Sequence, residues 1–233
     1  MKILSIDSSS APASVAILEN DTPTGEFTIN INRTHSEKLL PITDILTDIL
    51  DISVPDIDLF AISAGPGSFT GLRIGMSEAK LLAETSGKPL IGVKTLEALA
   101  ENVSVWNGYI CPVLDARNST VYCAVYECRN GEIKEVIPTD AVSVSELAGK
   151  LQELDKDVLI TGEYAKYKEI FSSASDKISF APKHLASQNA VSVGVIAYRM
   201  YLEGVRTRPS EVQPFYVRES QAEQAKKAKE AAK

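Results

Sequence analysis

The spacing of apolar residues divides the first half of the chain into short strands and amphipathic helices. Continuous apolar runs, typical of buried strands, occur at Leu59–Ser63 and Leu90–Val93. Residues His35–Leu50 and Leu72–Glu84 instead place apolar side chains at helical intervals. Strands followed by alternating helices and strands predict a mixed sheet with helices packed on it. Further strands are predicted at Lys2–Ile6, Ser14–Leu18 and Phe27–Ile31, and a short helix from Thr95.

The second half of the chain repeats this arrangement more weakly. Asn130-Gly131 is a hairpin signal between two apolar runs. We therefore predict a first lobe at 1–105, a smaller second lobe at 106–218, and a polar tail at 219–233 that has no apolar stripe and should fray. The predicted strands of the second lobe are Gly108–Asp115, Val121–Glu127, Ile133–Ile137 and Val158–Thr161, and its predicted helices are Ser145–Leu154 and Asn189–Leu202.

A glycine-rich loop, Ala64–Gly75, joins a predicted strand to a predicted helix. Its glycines allow a sharp turn, and the helix N-terminus behind it offers free N–H groups that favour anions. The glycine spacing is one residue too long for a dinucleotide fingerprint, and no lysine follows Gly71 as a P-loop requires. Two interpretations stay open: an anion site, or a tight turn capped by Ser68 or Thr70.

Asp7-Ser8-Ser9-Ser10 lies between the first two predicted strands, which we expect to form a hairpin. A carboxylate with clustered hydroxyls can face a metal-bound phosphate, or it can form an Asx turn that satisfies its own backbone. The turn is the favoured interpretation. The candidate residues for a vestigial nucleotide site are Asp7, Ser8, Gly65, Gly67, Ser68, Thr70, Gly71 and Arg73.

Five segments occur in order along the chain: Ile6–Ser9, Arg33–Pro41, Ala64–Gly75, Leu114–Arg117 with Val121-Tyr122, and Pro214–Arg218. Together they resemble the bacterial TsaB (YeaZ) family over about residues 1–218. The resemblance implies an α/β, two-lobe actin/Hsp70/sugar-kinase-like (ASKHA) fold with mixed sheets flanked by helices. It also implies a role in making threonylcarbamoyladenosine in tRNA, as a partner of the related catalytic TsaD subunit.

The metal-binding histidine pair of the catalytic relatives is replaced in this sequence. Two histidines at spacing i, i+4 lie on one helix face and can share a metal ion. The matching positions here are Thr95 and Leu99, and leucine cannot bind a metal. We interpret the histidines that are present, His35 and His184, as surface or capping residues. The resemblance therefore implies a pseudo-enzyme with no metal site.

The composition of the chain bears on whether it binds nucleic acid or a membrane directly. The formal net charge of −7 argues against a large phosphate-binding surface, so we expect tRNA to be contacted only indirectly. No apolar run is long enough to cross a bilayer, which predicts a cytoplasmic protein without membrane contact. Cys111, Cys123 and Cys128 lack metal-site spacing and are interpreted as buried thiols.

The helices of the first lobe predict a partner surface. The first predicted helix has two stripes of side chains. One stripe should pack on the sheet and consists of Leu39, Ile42, Leu46 and Ile49. The second stripe is semi-apolar and has less obvious cover. Small residues recur every four positions in the next helix, so another helix can approach closely. Packing within the chain and an interface both remain open, and the resemblance favours the interface. Its candidates are Leu39, Leu40, Thr43, Thr47, Leu72, Gly75, Met76 and Ala79.

The resemblance implies a subunit that binds and activates a TsaD-like protein for threonylcarbamoyl transfer to the tRNA adenosine beside the anticodon. A TsaE-like ATPase would join the assembly, and the chain alone can form a homodimer. No tightly bound cofactor is expected, with ATP confined to the subunit interface of the complex. The alternative is a nucleotide-dependent small-molecule kinase or transferase that uses Asp7 and the glycine-rich loop, although the serines after Asp7 lack the backbone freedom of glycine.

Overall fold

Two five-stranded mixed sheets form the framework of the protein. The computed structural model describes residues 1–31 and 34–218. The first sheet has the strand order β3-β2-β1-β4-β5, and the second has the order β10-β9-β6-β7-β8. The strands are β1 Lys2–Asp7, β2 Ala13–Glu19, β3 Thr22–Ile29, β4 Leu59–Gly65, β5 Leu90–Lys94, β6 Gly108–Asp115, β7 Thr120–Arg129, β8 Glu132–Ser143, β9 Val158–Gly162 and β10 Ile178–Phe180.

The predicted mixed α/β architecture is confirmed in both halves of the chain. In the first sheet, β1 pairs antiparallel with β2 as the predicted hairpin and parallel with β4, while β4 pairs parallel with β5. In the second sheet, β6 and β7 are antiparallel and β6 and β9 are parallel. The helices are α1 Leu39–Leu50, α2 Phe69–Ser86, α3 Thr95–Glu101, α4 Val144–Gln152, α5 Lys168–Ala174 and α6 Ala190–Leu202.

Helix starts differ from the predicted ones because of capping. Residues His35–Glu37 form a separate 3-10 turn, and α1 begins only at Leu39. Pro41 therefore lies in the first turn of α1, where its missing N–H costs nothing. Helix α2 begins at Phe69, three residues before the predicted start, because the Ser68 side chain caps it.

The hairpin between β7 and β8 forms at Asn130-Gly131, as predicted. Both residues have positive φ, 53° and 85°, which is the left-handed conformation that such a two-residue turn requires. The sequence did not predict α5 or β10, two short elements that together cover ten residues of the second half. Neither is long enough to show a periodic pattern.

Helix α6 packs on the first sheet, although it falls in the segment 106–218 that we assigned to the second lobe. Its residues share a core cluster with β2, β4 and β5. Ser5 on β1 donates a hydrogen bond to the Ala190 carbonyl at 2.7 Å, and the Ala190 N–H donates to Ser14 Oγ at 3.0 Å. The chain thus returns to the first sheet after completing the second, and its last described residues run over the glycine-rich loop.

Candidate functional site

Asp7 at the end of β1 points into the protein. Its carboxyl is 1% exposed, and its Oδ1 accepts hydrogen bonds from Ser9 N at 2.9 Å and Ser9 Oγ at 2.6 Å. Among the described residues, nothing donates to Oδ2. Burial raises the pKa of Asp7 above its ordinary value, and the bonds from Ser9 oppose that change. The Asx-turn interpretation is confirmed at this position.

The glycine-rich loop packs directly on the turn that follows Asp7. Ser8 Oγ donates to the Gly71 carbonyl at 2.9 Å, and Ser68 N donates to the Ser9 carbonyl at 2.6 Å. A Cβ on Gly67 would overlap the Ser9 carbonyl oxygen. The loop needs glycine because two backbone segments come into contact here.

Backbone N–H groups at the start of α2 are already satisfied within the loop. Gly71 N donates to Ser68 Oγ at 3.3 Å, and Leu72 N donates to the Ser68 carbonyl at 2.8 Å. With these amides occupied and Asp7 buried, the residues at this turn do not fit a metal-bound phosphate. Of the two interpretations of the loop, the structure favours the tight, capped turn.

A cavity of about 880 Å³ lies between the two sheets, next to this turn. From the glycine-rich loop, Gly67, Ser68 and Thr70 line it, so three of the eight candidate nucleotide residues face the cavity. Asp7, Ser8, Gly65 and Gly71 are buried, and Arg73 is exposed on α2. The other sheet contributes Asp115, Ala116, Arg117, Asn118, Tyr122 and Glu163.

Glu163, which the sequence did not single out, joins the two halves of the cavity. One carboxylate oxygen accepts a hydrogen bond from Ser10 Oγ, and the other accepts from Asp115 N at 2.8 Å. Glu163 follows Gly162, whose φ of 87° turns the chain at the end of β9. The carboxylate places negative charge on the cavity wall, which Arg117 and Arg218 also line.

Asp115 is held by a network within the second sheet. It accepts hydrogen bonds from Arg117 N at 2.8 Å and Tyr167 Oη at 3.0 Å, and it pairs with Lys166 at 3.3 Å. Partial burial opposes ionisation, but these donors hold the pKa of Asp115 below its usual value. The bond from Arg117 N fixes the turn after β6, and the bonds from Lys166 and Tyr167 tie that turn to the segment after β9.

An aromatic clamp, formed by Phe69, Arg73 and Tyr216, holds the C-terminal segment 212–218 over the glycine-rich loop. The Phe69 and Tyr216 rings stack with centroids 4.6 Å apart, and the Arg73 guanidinium lies 3.9 Å from the Phe69 centroid. Arg73 Nε also donates to Tyr216 Oη at 3.2 Å, and Phe215 N donates to the Ala64 carbonyl at 2.7 Å. Arg73 therefore stabilises this clamp rather than facing the cavity.

The two positions that match the histidine pair of the catalytic relatives are both buried. Thr95 Oγ1 and Ser63 Oγ share one hydrogen bond of 2.8 Å. Leu99 belongs to the core cluster under the second sheet. Within residues 1–31 and 34–218, no three His, Cys, Asp or Glu side chains come together as a metal site.

The two histidines have different environments. His184 is exposed, as predicted for a surface residue. His35 begins the 3-10 turn whose capping box is confirmed, with Thr34 N donating to Glu37 Oε2 at 3.0 Å. The His35 ring also lines the cavity and lies against Gly71. Burial and then the charge of Lys38 lower the pKa of His35.

The predicted partner residues on α1 and α2 are mostly internal. Of the eight, Leu40 is exposed and the other seven are buried within the chain. Ile49, assigned to the sheet-facing stripe, is instead exposed and lies on the outer face with Ile45. The exposed large apolar side chains on these two helices are Leu40, Ile45, Ile49 and Leu81.

Comparison of the sequence with known protein families identifies the relatives of this chain. A family model described as "TsaD: tRNA N6-adenosine threonylcarbamoyltransferase" matches residues 26–226. The TsaB protein of Bacillus subtilis is 35% identical over 162 residues, which cover 70% of this chain and 71% of the relative. The chain belongs to the TsaB (YeaZ) family of tRNA threonylcarbamoyladenosine biosynthesis proteins. The Escherichia coli TsaB protein is 29% identical over 226 residues, covering 95% of this chain and 96% of that protein.

Solved structures show that the fold is also that of the TsaB (YeaZ) family. YeaZ from Pseudomonas aeruginosa superposes with a TM-score of 0.81 at 24% identity, covering 92% of this chain and 99% of that one. A ROK hexokinase from Thermus thermophilus gives a TM-score of 0.51 at 10% identity, covering 88% of this chain and 100% of that one. The ASKHA-like fold predicted from the sequence is confirmed. Among the described helices, none combines the length and apolar character needed to cross a lipid bilayer.

Proposed function

We propose that this chain is a non-catalytic partner subunit that binds a TsaD-type catalytic subunit and supports threonylcarbamoyl transfer to tRNA. The proposal rests on the residues at the two positions that match the metal-binding histidines of the catalytic relatives. Thr95 is paired with Ser63 in the interior and Leu99 is part of a hydrophobic core. Both side chains contribute to packing, so the chemistry belongs to the catalytic subunit.

The outer face of α1 and α2 supports docking as the remaining activity. We define this docking face by its exposed apolar residues, Leu40, Ile45, Ile49 and Leu81. Ile49 and Leu81 are 67% and 63% exposed, and burying each of these side chains would contribute about 1.5–3 kcal/mol. A partner that covers these side chains would remove their apolar surface from water. This face replaces the largely buried set predicted from the sequence.

The wider assembly follows from the same proposal. A TsaE-like ATPase joins the complex of the two subunits, and tRNA binds mainly through the other components because this chain carries a net charge of −7. The same docking face allows a homodimer when the partner is absent. ATP, where the complex uses it, binds at the interface between subunits.

A second candidate function uses the cavity between the sheets. A space of about 880 Å³ that is lined by Phe69, Tyr216 and Arg218 is within the range of small-molecule sites. This observation favours a nucleotide-dependent kinase or transferase. Against it stand the buried carboxyl of Asp7 and the Glu163 carboxylate on the wall.

Reconstitution tests the partner role. The chain is mixed with the TsaD-type subunit of the same host, and complex formation is followed by size-exclusion chromatography with light scattering. Threonylcarbamoyl transfer is then assayed with each subunit alone and with both, in the presence of the TsaE-type ATPase. A discrete complex and activity that requires both subunits are expected. Activity of the catalytic subunit that is unchanged by this chain, with no complex, would contradict the proposal.

A further inference from the structure

Helices α1 and α2 lie side by side and run in the same direction. Near their N-termini, a Cβ on Gly71 would lie 3.1 Å from the His35 ring. About two turns further along, Glu78 of α2 lies against Thr43 of α1. Glu78 therefore occupies the groove between the two helices that carry the docking face.

One oxygen of the Glu78 carboxyl lacks a hydrogen-bond donor in this groove. Its Oε1 is out of reach of solvent, and nothing among the described residues donates to it. The Thr43 hydroxyl has one proton, which it gives to the Leu39 carbonyl at 2.9 Å. The residues one turn away on α2, Ile74, Gly75, Leu81 and Leu82, are uncharged.

Burial and the neighbouring charge both resist ionisation of this carboxyl. Partial burial is the larger cause, contact with Thr43 opposes it, and the negative charge of Asp44 adds to it. Together they raise the pKa of Glu78 to about 7. Asp44, on α1, is the charged group that acts on Glu78 from the helix packed against it.

A subunit that covers the docking face must satisfy this carboxyl. Removing the remaining water from an unpaired carboxylate costs several kcal/mol, whereas a cationic donor converts that cost into a charge-assisted hydrogen bond. A neutral, protonated Glu78 could instead donate to an oxygen of the partner. The surrounding charge favours the cation, because α1 carries Asp44 and Asp48 and no lysine or arginine between Leu39 and Leu50.

We propose that Glu78 is the anchor for a lysine or arginine side chain on the helix of the TsaD-type subunit that docks on α1 and α2. This inference rests on the proposed function and names the chemistry of its partner. Glu78 is a specificity-determining contact in the groove between α1 and α2. Apolar residues around the groove exclude water from the pair and so strengthen it.

The two modes of recognition give opposite pH dependences. A cation requires ionised Glu78, so docking releases a proton and weakens as the pH falls below 7. With a pKa of about 7 in the free chain, affinity should be about tenfold lower at pH 6 than at pH 8. If a neutral Glu78 donates to the partner instead, affinity increases as the pH falls.

Isothermal titration of the full chain into the TsaD-type subunit at pH 6, 7 and 8 tests this anchor. The wild type should show the tenfold dependence, and Glu78→Gln should bind at least tenfold more weakly at pH 8 with little pH dependence. Glu84→Gln is the matched control, because Glu84 is an exposed acid on the same helix. Thermal unfolding of each variant shows whether the fold is retained.

Three results would overturn the proposal. If Glu78→Gln binds like the wild type at all three pH values, the anchor is wrong while the partner role stands. If the chain alone self-associates with a pH dependence that Glu78→Gln removes, the face belongs to a second copy. If the wild type does not bind at any pH, both this inference and the proposed function fail.

Discussion

Ser8 and Gly75 are in direct contact between β1 and α2. A Cβ on Gly75 would overlap Ser8 Oγ and would lie 3.2 Å from Ile62 Cδ1. The glycine therefore allows α2 to approach the turn after β1, where Ser8 also binds the Gly71 carbonyl at 2.9 Å. At Gly75, the small residue of α2 therefore allows close packing within this chain.

Gly75→Ala should destabilise the folded chain. The added methyl must displace Ser8 or shift α2, which we expect to lower the free energy of unfolding by about 1–3 kcal/mol. Urea denaturation measures the change. Gly149→Ala in α4 is the control, since a Cβ there meets nothing within 4 Å and should be neutral or stabilise by about 0.5–1 kcal/mol. Equal stability of the two variants would show that α2 has room to shift.

Asp7→Asn should change the pH dependence of stability. Because the pKa of Asp7 is raised in the folded state, the folded chain holds this proton more tightly than the unfolded chain does. The wild type therefore loses free energy of unfolding as the pH rises above the ordinary value of 3.8 towards the raised one, and Asp7→Asn lacks that loss. Urea denaturation of both proteins from about pH 4 to about pH 8 compares them. A constant difference between the two would mean that Asp7 titrates normally.

Tyr216→Ala should loosen the C-terminal segment at the aromatic clamp. Loss of the ring stack with Phe69 and of the bond to Arg73 should weaken local closure by about 1 kcal/mol. Hydrogen exchange at the Phe215 amide, which donates to Ala64 at 2.7 Å, should then be roughly fivefold faster. Tyr216→Phe retains the stack and should have a smaller effect. Unchanged exchange in Tyr216→Ala would show that the segment is held elsewhere.

The isolated chain should not hydrolyse ATP at a steady rate. Asp7 is buried, and the N–H groups at Gly71 and Leu72 are occupied, so the glycine-rich loop does not present a phosphate site. Calorimetric titration with ATP and magnesium measures binding, and a phosphate-release assay measures hydrolysis. Micromolar binding with hydrolysis that Asp7→Asn abolishes would instead support the kinase or transferase alternative.

The sequence predicted elements whose signals are local. The hairpin of β1 and β2, the buried strand β4 and the turn at Asn130-Gly131 each depend on a few neighbouring residues, and all three are confirmed. Glu163 and Tyr216 were not predicted as site residues because their partners, Ser10 and Phe69, are far away in sequence. No local pattern encodes those contacts.

Helix α1 shows what the spacing of apolar residues cannot predict. The first helix of the sequence has two apolar stripes, and spacing alone cannot say which one the sheet covers. The structure buries Thr43 and Thr47 and exposes Ile45 and Ile49, so the buried face includes polar residues. Thr43 and Thr47 can be buried because their hydroxyls donate to carbonyls one turn earlier in α1.

Binding to the TsaD-type subunit by outer-face variants tests the central claim most directly. Ile49→Glu and Leu81→Glu place a charge on the docking face, and Leu202→Glu is the matched control on α6, with the same 67% exposure as Ile49. We expect titration calorimetry to show at least about tenfold weaker binding for the first two and unchanged binding for the control, with all three melting like the wild type. Wild-type affinity in Ile49→Glu and Leu81→Glu would contradict docking through α1 and α2.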